Sequence, residues 1–246
     1  MKEEDNRWTL DFEAMEDAMT PNCTLFMLCN PYNPGRTVFT CKDLEALSTF
    51  CLKHNLTICS DEIHADLLLN PEAKHIPIAS LNENIAQRSI TLMAPSKTFN
   101  IAGLQASFAI IPNDSLRRSF TQTMGSMVGG VNLLGLCALK AAYEQGDEWL
   151  SELRVYLRDN LALVRAFVAK NPQLKLLEQE ATFLAWIDAT ALHVKNPYEF
   201  FLEFGVGLSA GEPFGDKNYV RLNFGTQRSL LIDILSRMQK AMDTLC

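Results

Sequence analysis

Three short stretches of the chain carry side chains that could do chemistry, and each follows an apolar run of strand length. "CTLFMLC" at 23–29 leads into Asn30-Pro31-Tyr32-Asn33-Pro34-Gly35, and "LTICSDE" at 56–62 ends in Ser60, Asp61 and Glu62, with His64 just beyond. "SITLMA" at 89–94 leads past Pro95 to Lys97. If these strands run parallel, an amide, a carboxylate, an imidazole and an amine converge on one rim, where open α/β sheets bind ligands. Taken singly, each has an ordinary explanation. Lys97 reads as a solvated lysine past a strand end, Asn33 before Pro34 as a turn former, Asp61 as a helix cap and His64 as a satisfied buried histidine. Their shared position beyond successive strand ends is what favours chemistry.

The elements that must hold these groups follow from the hydrophobic pattern. The strands run apolar without alternation and are separated by helical segments, which indicates a sheet covered on both faces in an α/β fold. "SFAIIP" at 107–112 reads as a fourth strand. Thr40 and Asp43 resemble a capping box that opens a helix with Leu44, Leu47 and Cys51 on one face, ending near His54. Beyond residue 132 the pattern turns helical. One long helix is expected over 147–170, with Leu150, Leu153, Leu157, Leu161, Val164 and Val168 at helical spacing. "LKLLEQ" (174–179) and "TFLAWIDA" (182–189) alternate like strands of a half-exposed antiparallel sheet, and "YVRLNFG" (219–225) adds another. "PYEFFLEFG" reads as a short helix, and Leu230, Leu231, Ile234, Leu235, Met238, Met242 and Leu245 mark a terminal amphipathic one. The expected division is an α/β part over 1–146, and a linking helix with a smaller C-terminal α+β domain over 147–246.

Composition narrows the function classes. A chain of 246 residues, 48% hydrophobic and 21% charged, is of ordinary globular type. A formal charge of −7 argues against nucleic acid or an anionic membrane as main partner. No apolar stretch approaches the roughly 18 residues that a membrane span needs. The acid-rich start, "MKEEDNRWTLDFEAMEDAM", has no apolar core, so neither a secretory nor a transit peptide is expected. Seven cysteines lack any CxxC pairing, and Cys29, Cys59 and Cys137 fall in apolar runs as reduced core residues do, which suits the cytoplasm. No metal site is expected: there is no four-ligand cluster, and a hydrolase metal held by Asp61, Glu62 and His64 would lack a ligand from the third strand.

The constellation fits pyridoxal phosphate, which needs a lysine for its Schiff base, an acid opposite its ring nitrogen and hydrogen-bonding groups beside its phenolic oxygen. "NPYNPG", "SDEIHADL", "SKTFNIAG" and "YVRLNFGTQR" together resemble the class I/II aminotransferase superfamily, fold type I, and within it the cystathionine β-lyase or C–S lyase branch. All four motifs agree in order and spacing from residue 11 to the C-terminus. The resemblance implies a large domain with a mostly parallel sheet. It also implies that Lys97 carries the cofactor and acts as catalytic base, that Asp61 binds the ring nitrogen, and that Asn33 and His64 face the phenolic oxygen. Arg221 would clamp the substrate α-carboxylate with its two-pronged guanidinium. His64 stands where many aminotransferases carry a tyrosine, and it points to the lyase branch. A thiol would leave from Cβ of a small amino-acid substrate, giving pyruvate and ammonia, and a homodimer is implied.

Two departures accompany the match. Family members commonly have a serine three residues before the lysine and an arginine eight after it; here these are Ala94 and Gln105. The family also has a long N-terminal part before the equivalent of Asp11, with the phosphate-cradling turn and an aromatic ring that stacks on the cofactor. By this resemblance the chain is a C-terminal portion of the fold, with an exposed sheet edge and apolar face. An aminotransferase, and a catalytically silent remnant or binding module, remain as alternatives to the lyase.

Overall fold

The computed structural model describes residues 1–125 and 127–245. A hairpin of β1 (Lys2–Glu4) and β2 (Arg7–Thr9) and a short helix α1 (Phe12–Asp17) precede the first sheet. That sheet contains β3 (Leu25–Cys29), β4 (Thr57–Asp61), β5 (Ser89–Met93) and β6 (Phe108–Ile110) in that spatial order. The first three run parallel and β6 pairs antiparallel with β5. Helix α2 (Cys41–Lys53) crosses over from β3 to β4, α3 (Glu83–Ala86) precedes β5, and α4 (Pro95–Thr98) follows it.

The crossover starts where the sequence says it should. Thr40 Oγ1 accepts from the Asp43 amide at 3.2 Å and Asp43 Oδ2 accepts from the Thr40 amide at 2.8 Å, a complete capping box. Leu44, Leu47 and Cys51 are fully buried under the sheet, in one core with Leu28, Phe39, Leu56, Ile58 and Ile78.

Register fixes the rim. Cys29 pairs with Asp61, and Asp61 with Leu92, so the three parallel strands end level. Partners in register share a face, which puts Asp61 with Cys59, Ile90 and Leu92, opposite the side that α2 covers. The expectation of cover on both faces holds only in part. Leu25 and Met27 on β3 are 49% and 62% exposed, and Phe108 and Ile110 on β6 are 38% and 51% exposed. These are the outer strands, which have no further strand beside them.

Helices α5 (Asp114–Gly125), α6 (Leu133–Gln145) and α7 (Asp147–Lys170) follow. Cys137 on α6 is exposed rather than buried, because α6 leaves Leu133, Leu134 and Leu136 uncovered too. The second sheet has the order β7 (Lys175–Leu176), β8 (Leu184–Asp188), β10 (Tyr219–Asn223), β9 (Ser209–Ala210), all antiparallel. Helix α8 (Pro197–Glu203) lies between β8 and β9, and α9 (Arg228–Met242) ends the fold. The second core packs Leu157, Leu161, Val164 and Phe167 of α7 against Leu231, Leu235, Met238 and Met242 of α9. Leu230 faces outward at 49% exposure, one position off the buried stripe.

Leu67 and Leu69, from the segment that carries His64, also sit in this second core. Leu69 donates its amide to Glu180 O and Thr182 donates to Leu67 O, both at 2.8 Å, so the segment after β4 is stitched to the connection between β7 and β8 of the second sheet. Truncating Leu157, 1% exposed on the buried face of α7, should therefore loosen both. Leu157→Ala is expected to destabilise the chain by about 3 kcal/mol, seen as a lower urea midpoint at unchanged slope.

Candidate active site

Every candidate side chain comes from the rim of the first sheet or from the strand of the second that faces it. Asn33 follows β3 in a turn containing two cis peptide bonds, Asn30–Pro31 and Asn33–Pro34. The turn needs Gly35, since a Cβ there would lie 2.7 Å from Trp8 Cδ1. Arg221, in the middle of β10, donates from Nη1 to Asn33 Oδ1 at 2.9 Å. Its Nη2 reaches Ser209 Oγ at 3.4 Å on the neighbouring β9, and its guanidinium carbon lies 4.5 Å from the Phe214 ring centre. Nε is buried without a hydrogen-bond partner. Burial also pulls the Arg221 pKa below the usual arginine range.

Asp61 closes β4. Its Oδ1 accepts from the Ile63 amide at 3.2 Å, and burial raises its pKa above the ordinary carboxylate value, with the neighbouring Glu62 adding to the rise. The Ile63 bond and the charge of Lys97 oppose that shift without cancelling it. Asp61 lines an open cleft of about 880 Å³ with Ile63, Leu92 and Ala109. Glu62 points elsewhere: it is 1% exposed, accepts from Ser60 Oγ at 2.8 Å and lies 2.7 Å from His75 Nε2. Among the described residues no group of three His, Cys, Asp or Glu could hold a metal ion.

His64 is 3% exposed, its ring edge-on to Phe183 at 6.0 Å between centroids, and its Nδ1 has no partner. Burial pushes its pKa down to about 4, helped by the positive charges of Lys97 and then Arg221. Both cations are therefore close enough to act on it.

Lys97 stands exposed on the single turn of α4. That turn has no side-chain cap, since Ala94 occupies the cap position. It is held instead by the buried Thr98, whose Oγ1 reaches Asp66 Oδ2 at 3.3 Å, while Arg154 of α7 grips Asp66 O from Nε at 2.8 Å and from Nη2. Lys97 lines a second cleft, of about 610 Å³, with Trp149, Tyr156, Phe183 and Asn223. Gln105, the other departure from the resembled pattern, adopts a left-handed backbone with φ of 52°.

The fold thus brings Asn33 into contact with Arg221 and sets His64 within range of Lys97 and Arg221. Asp61 also feels the charge of Lys97 but opens on a different cleft. Sequence reading missed Ser209, Phe214, Phe183 and Asp66. Only the "AD" after His64 in "SDEIHADL" could have drawn attention to Asp66, and no local signal marks the others.

The geometry has counterparts among known proteins. The family description "Aminotransferase class I and II" matches residues 1–237. The chain belongs to the class I and II aminotransferase family. It is 39% identical over 248 residues to cystathionine beta-lyase PatB of Bacillus subtilis, covering 98% of this chain and 64% of PatB. The crystal structure of OvoB matches with a TM-score of 0.96 at 48% identity, over 98% of this chain and 64% of OvoB. Cystalysin from Treponema denticola, solved with a pyridoxal 5'-phosphate cofactor, matches at 0.94 and 32% identity over 100% of this chain and 64% of cystalysin. The chain thus spans just under two thirds of the length of these relatives and shares the aminotransferase fold over that span.

His64 supplies a measurable consequence. Its folded pKa, about 4, lies below the ordinary histidine value of 6.5. Between these two pH values the unfolded chain binds a proton that the folded chain refuses, so stability rises with pH through that window. His64→Gln should flatten the wild-type loss of stability from pH 6.5 down to 4, a difference of a few kcal/mol by linkage. Chemical denaturation across that range, with an NMR titration of the His64 ring, checks it.

Proposed function

We propose that this chain forms most of a pyridoxal-phosphate-dependent C–S β-lyase that cleaves cystathionine or a related cysteine conjugate to a thiol, pyruvate and ammonia. The observation that carries the reading is His64: buried, neutral, with an unpartnered Nδ1, beside the cations Lys97 and Arg221. Its place in the motif is where many aminotransferases resembled by this chain have tyrosine. PatB's name as a cystathionine beta-lyase supports the same branch.

The residues suit the cofactor. Asp61 is a desolvated carboxylate with a raised pKa, so it gains from a cationic ring nitrogen. The orphaned His64 Nδ1 and the Asn33 amide suit a phenolic oxygen: Asn33 Oδ1 is already taken by Arg221, which leaves its Nδ2 to donate. Lys97 would supply the amine, exposed on the turn that follows β5. Pyridoxal phosphate, when bound, supplies a carbonyl that condenses with amines and a ring that takes up the electron pair left at the substrate Cα.

The chain's own residues would do the rest. Arg221 holds the substrate α-carboxylate from its unpartnered Nε and its Nη2 side, fixing Cα in place. Lys97 takes the Cα proton as general base. His64, kept neutral by burial, donates a hydrogen bond without adding charge. Residues 1–146 would hold the cofactor and 147–246 bring in the carboxylate clamp. We also propose a homodimer in a reducing cytoplasm, supported by the exposed Leu25, Met27, Leu133 and Leu134 and by six free cysteines among the described residues. No described helix is long and apolar enough to cross a membrane.

The test is uptake and turnover. The chain mixed with pyridoxal phosphate should develop a visible absorbance band that survives dialysis and becomes fixed on Lys97 by borohydride. Lys97→Ala should lose both. Cystathionine should then yield pyruvate; turnover of a keto acid with no pyruvate would reassign the chain to the aminotransferases. A chain that takes up no cofactor would be the silent portion instead. Arg221→Lys is expected to lower kcat/KM about 100-fold, mostly through KM, because an ammonium cannot clamp a carboxylate bidentately.

A further inference from the structure

Arg36 is the largest fully buried polar side chain in the molecule, and the proposed chemistry does not use it. Among the described residues its guanidinium bonds only to backbone carbonyls: Gly35 O from Nε at 3.2 Å, Trp186 O from Nη1 at 3.3 Å and Leu177 O from Nη2 at 3.4 Å. Burial, and then the nearby Arg165, pull its pKa down to about 9, so the cation is held at a cost. Its backbone is left-handed, with φ of 66°, a further cost for a residue with a side chain.

These contacts form a closed circuit. Arg36 lies three residues after Asn33 in the turn that follows β3. It grips the carbonyl of Trp186, and Trp186 is the register partner of Arg221 across β8 and β10. Arg221 returns to Asn33 at 2.9 Å. The planar fork suits such a junction, because its donors leave in fixed, divergent directions and reach its own turn at Gly35 and two distant stretches of backbone at Leu177 and Trp186, which three rotating ammonium protons cannot match.

We infer that Arg36 is a positioning residue that sets the separation of Asn33 from Arg221, and so aligns the cofactor-ring contact with the carboxylate clamp. The roles given to Asn33 and Arg221 rest on the reading above; the mechanical link between them does not. A residue serving stability alone would lower the melting temperature and leave the Asn33–Arg221 contact intact in whatever remains folded.

The link is read in the chain without cofactor. Arg36→Lys and the neutral Arg36→Gln are made together, and circular dichroism selects whichever folds. In the wild type, Arg221→Lys should shift the Asn33 side-chain amide NMR signals. In the Arg36 variant those signals should already be displaced, and adding Arg221→Lys should move them little further. Unchanged Asn33 signals in a folded Arg36 variant would overturn the inference. With pyridoxal phosphate and S-methyl-L-cysteine, Arg36→Lys should raise KM about tenfold in the wild-type background and less than about twofold in Arg221→Lys, the non-additivity of a coupled pair. Additive effects count against the link. Failure of the wild type to take up cofactor removes the proposed function alone, since the NMR comparison still decides the link.

Discussion

The parallel pairing of β3, β4 and β5 is the constraint on which the rest depends. A parallel neighbour requires the chain to return to the same end of the sheet before each new strand, so the residues after each strand emerge at one rim. Because Cys29, Asp61 and Leu92 stand level in register, the segments that carry Asn33, His64 and Lys97 all leave the sheet at the same rim. Nothing in their local sequences brings them together. The hydrogen-bond ladder does.

A second sheet, antiparallel and built from residues far along the chain, is then held against that rim. It delivers Arg221 on β10, braced by Ser209 on β9 and Phe214 beyond it. Backbone bonds from Leu67 and Leu69 and the guanidinium of Arg36 tie the two sheets at separate points. Both ties come from segments that carry candidate site residues, the one after β4 and the one after β3. The position of Arg221 over the rim is therefore a property of these junctions rather than of either sheet.

The electrostatics follow the same line. Asp61 is half-buried with a raised pKa, His64 is buried with an unpartnered Nδ1, and Arg221 keeps an unpaired Nε. Glu62, adjacent to Asp61, is by contrast fully engaged by Ser60 and His75. Neighbouring acids in one short segment thus have opposite environments: one satisfied inside the core, one left open to a cleft. Of the buried side-chain atoms without a partner among the described residues, His64 Nδ1 and Arg221 Nε belong to candidate site residues, and such orphaned groups are what a bound ligand can satisfy.

The sequence by itself determined the periodic elements. The capping box at Thr40, the apolar stripe of α7 and the continuous apolar runs of the first sheet are local patterns, and each can be read without knowing what packs against it. It also marked Asn33, Asp61, His64 and Lys97, because each follows a strand whose direction an α/β alternation implies. Tertiary structure alone decided the exposure of β3, β6 and Cys137, since burial depends on what packs opposite and not on the residue's own run. It alone decided that Asn33 would meet an arginine 188 positions away, and that Arg36, by its sequence an ordinary turn residue, would be enclosed. Contacts over such separations are set by how two sheets dock, and docking leaves no periodic trace in the chain.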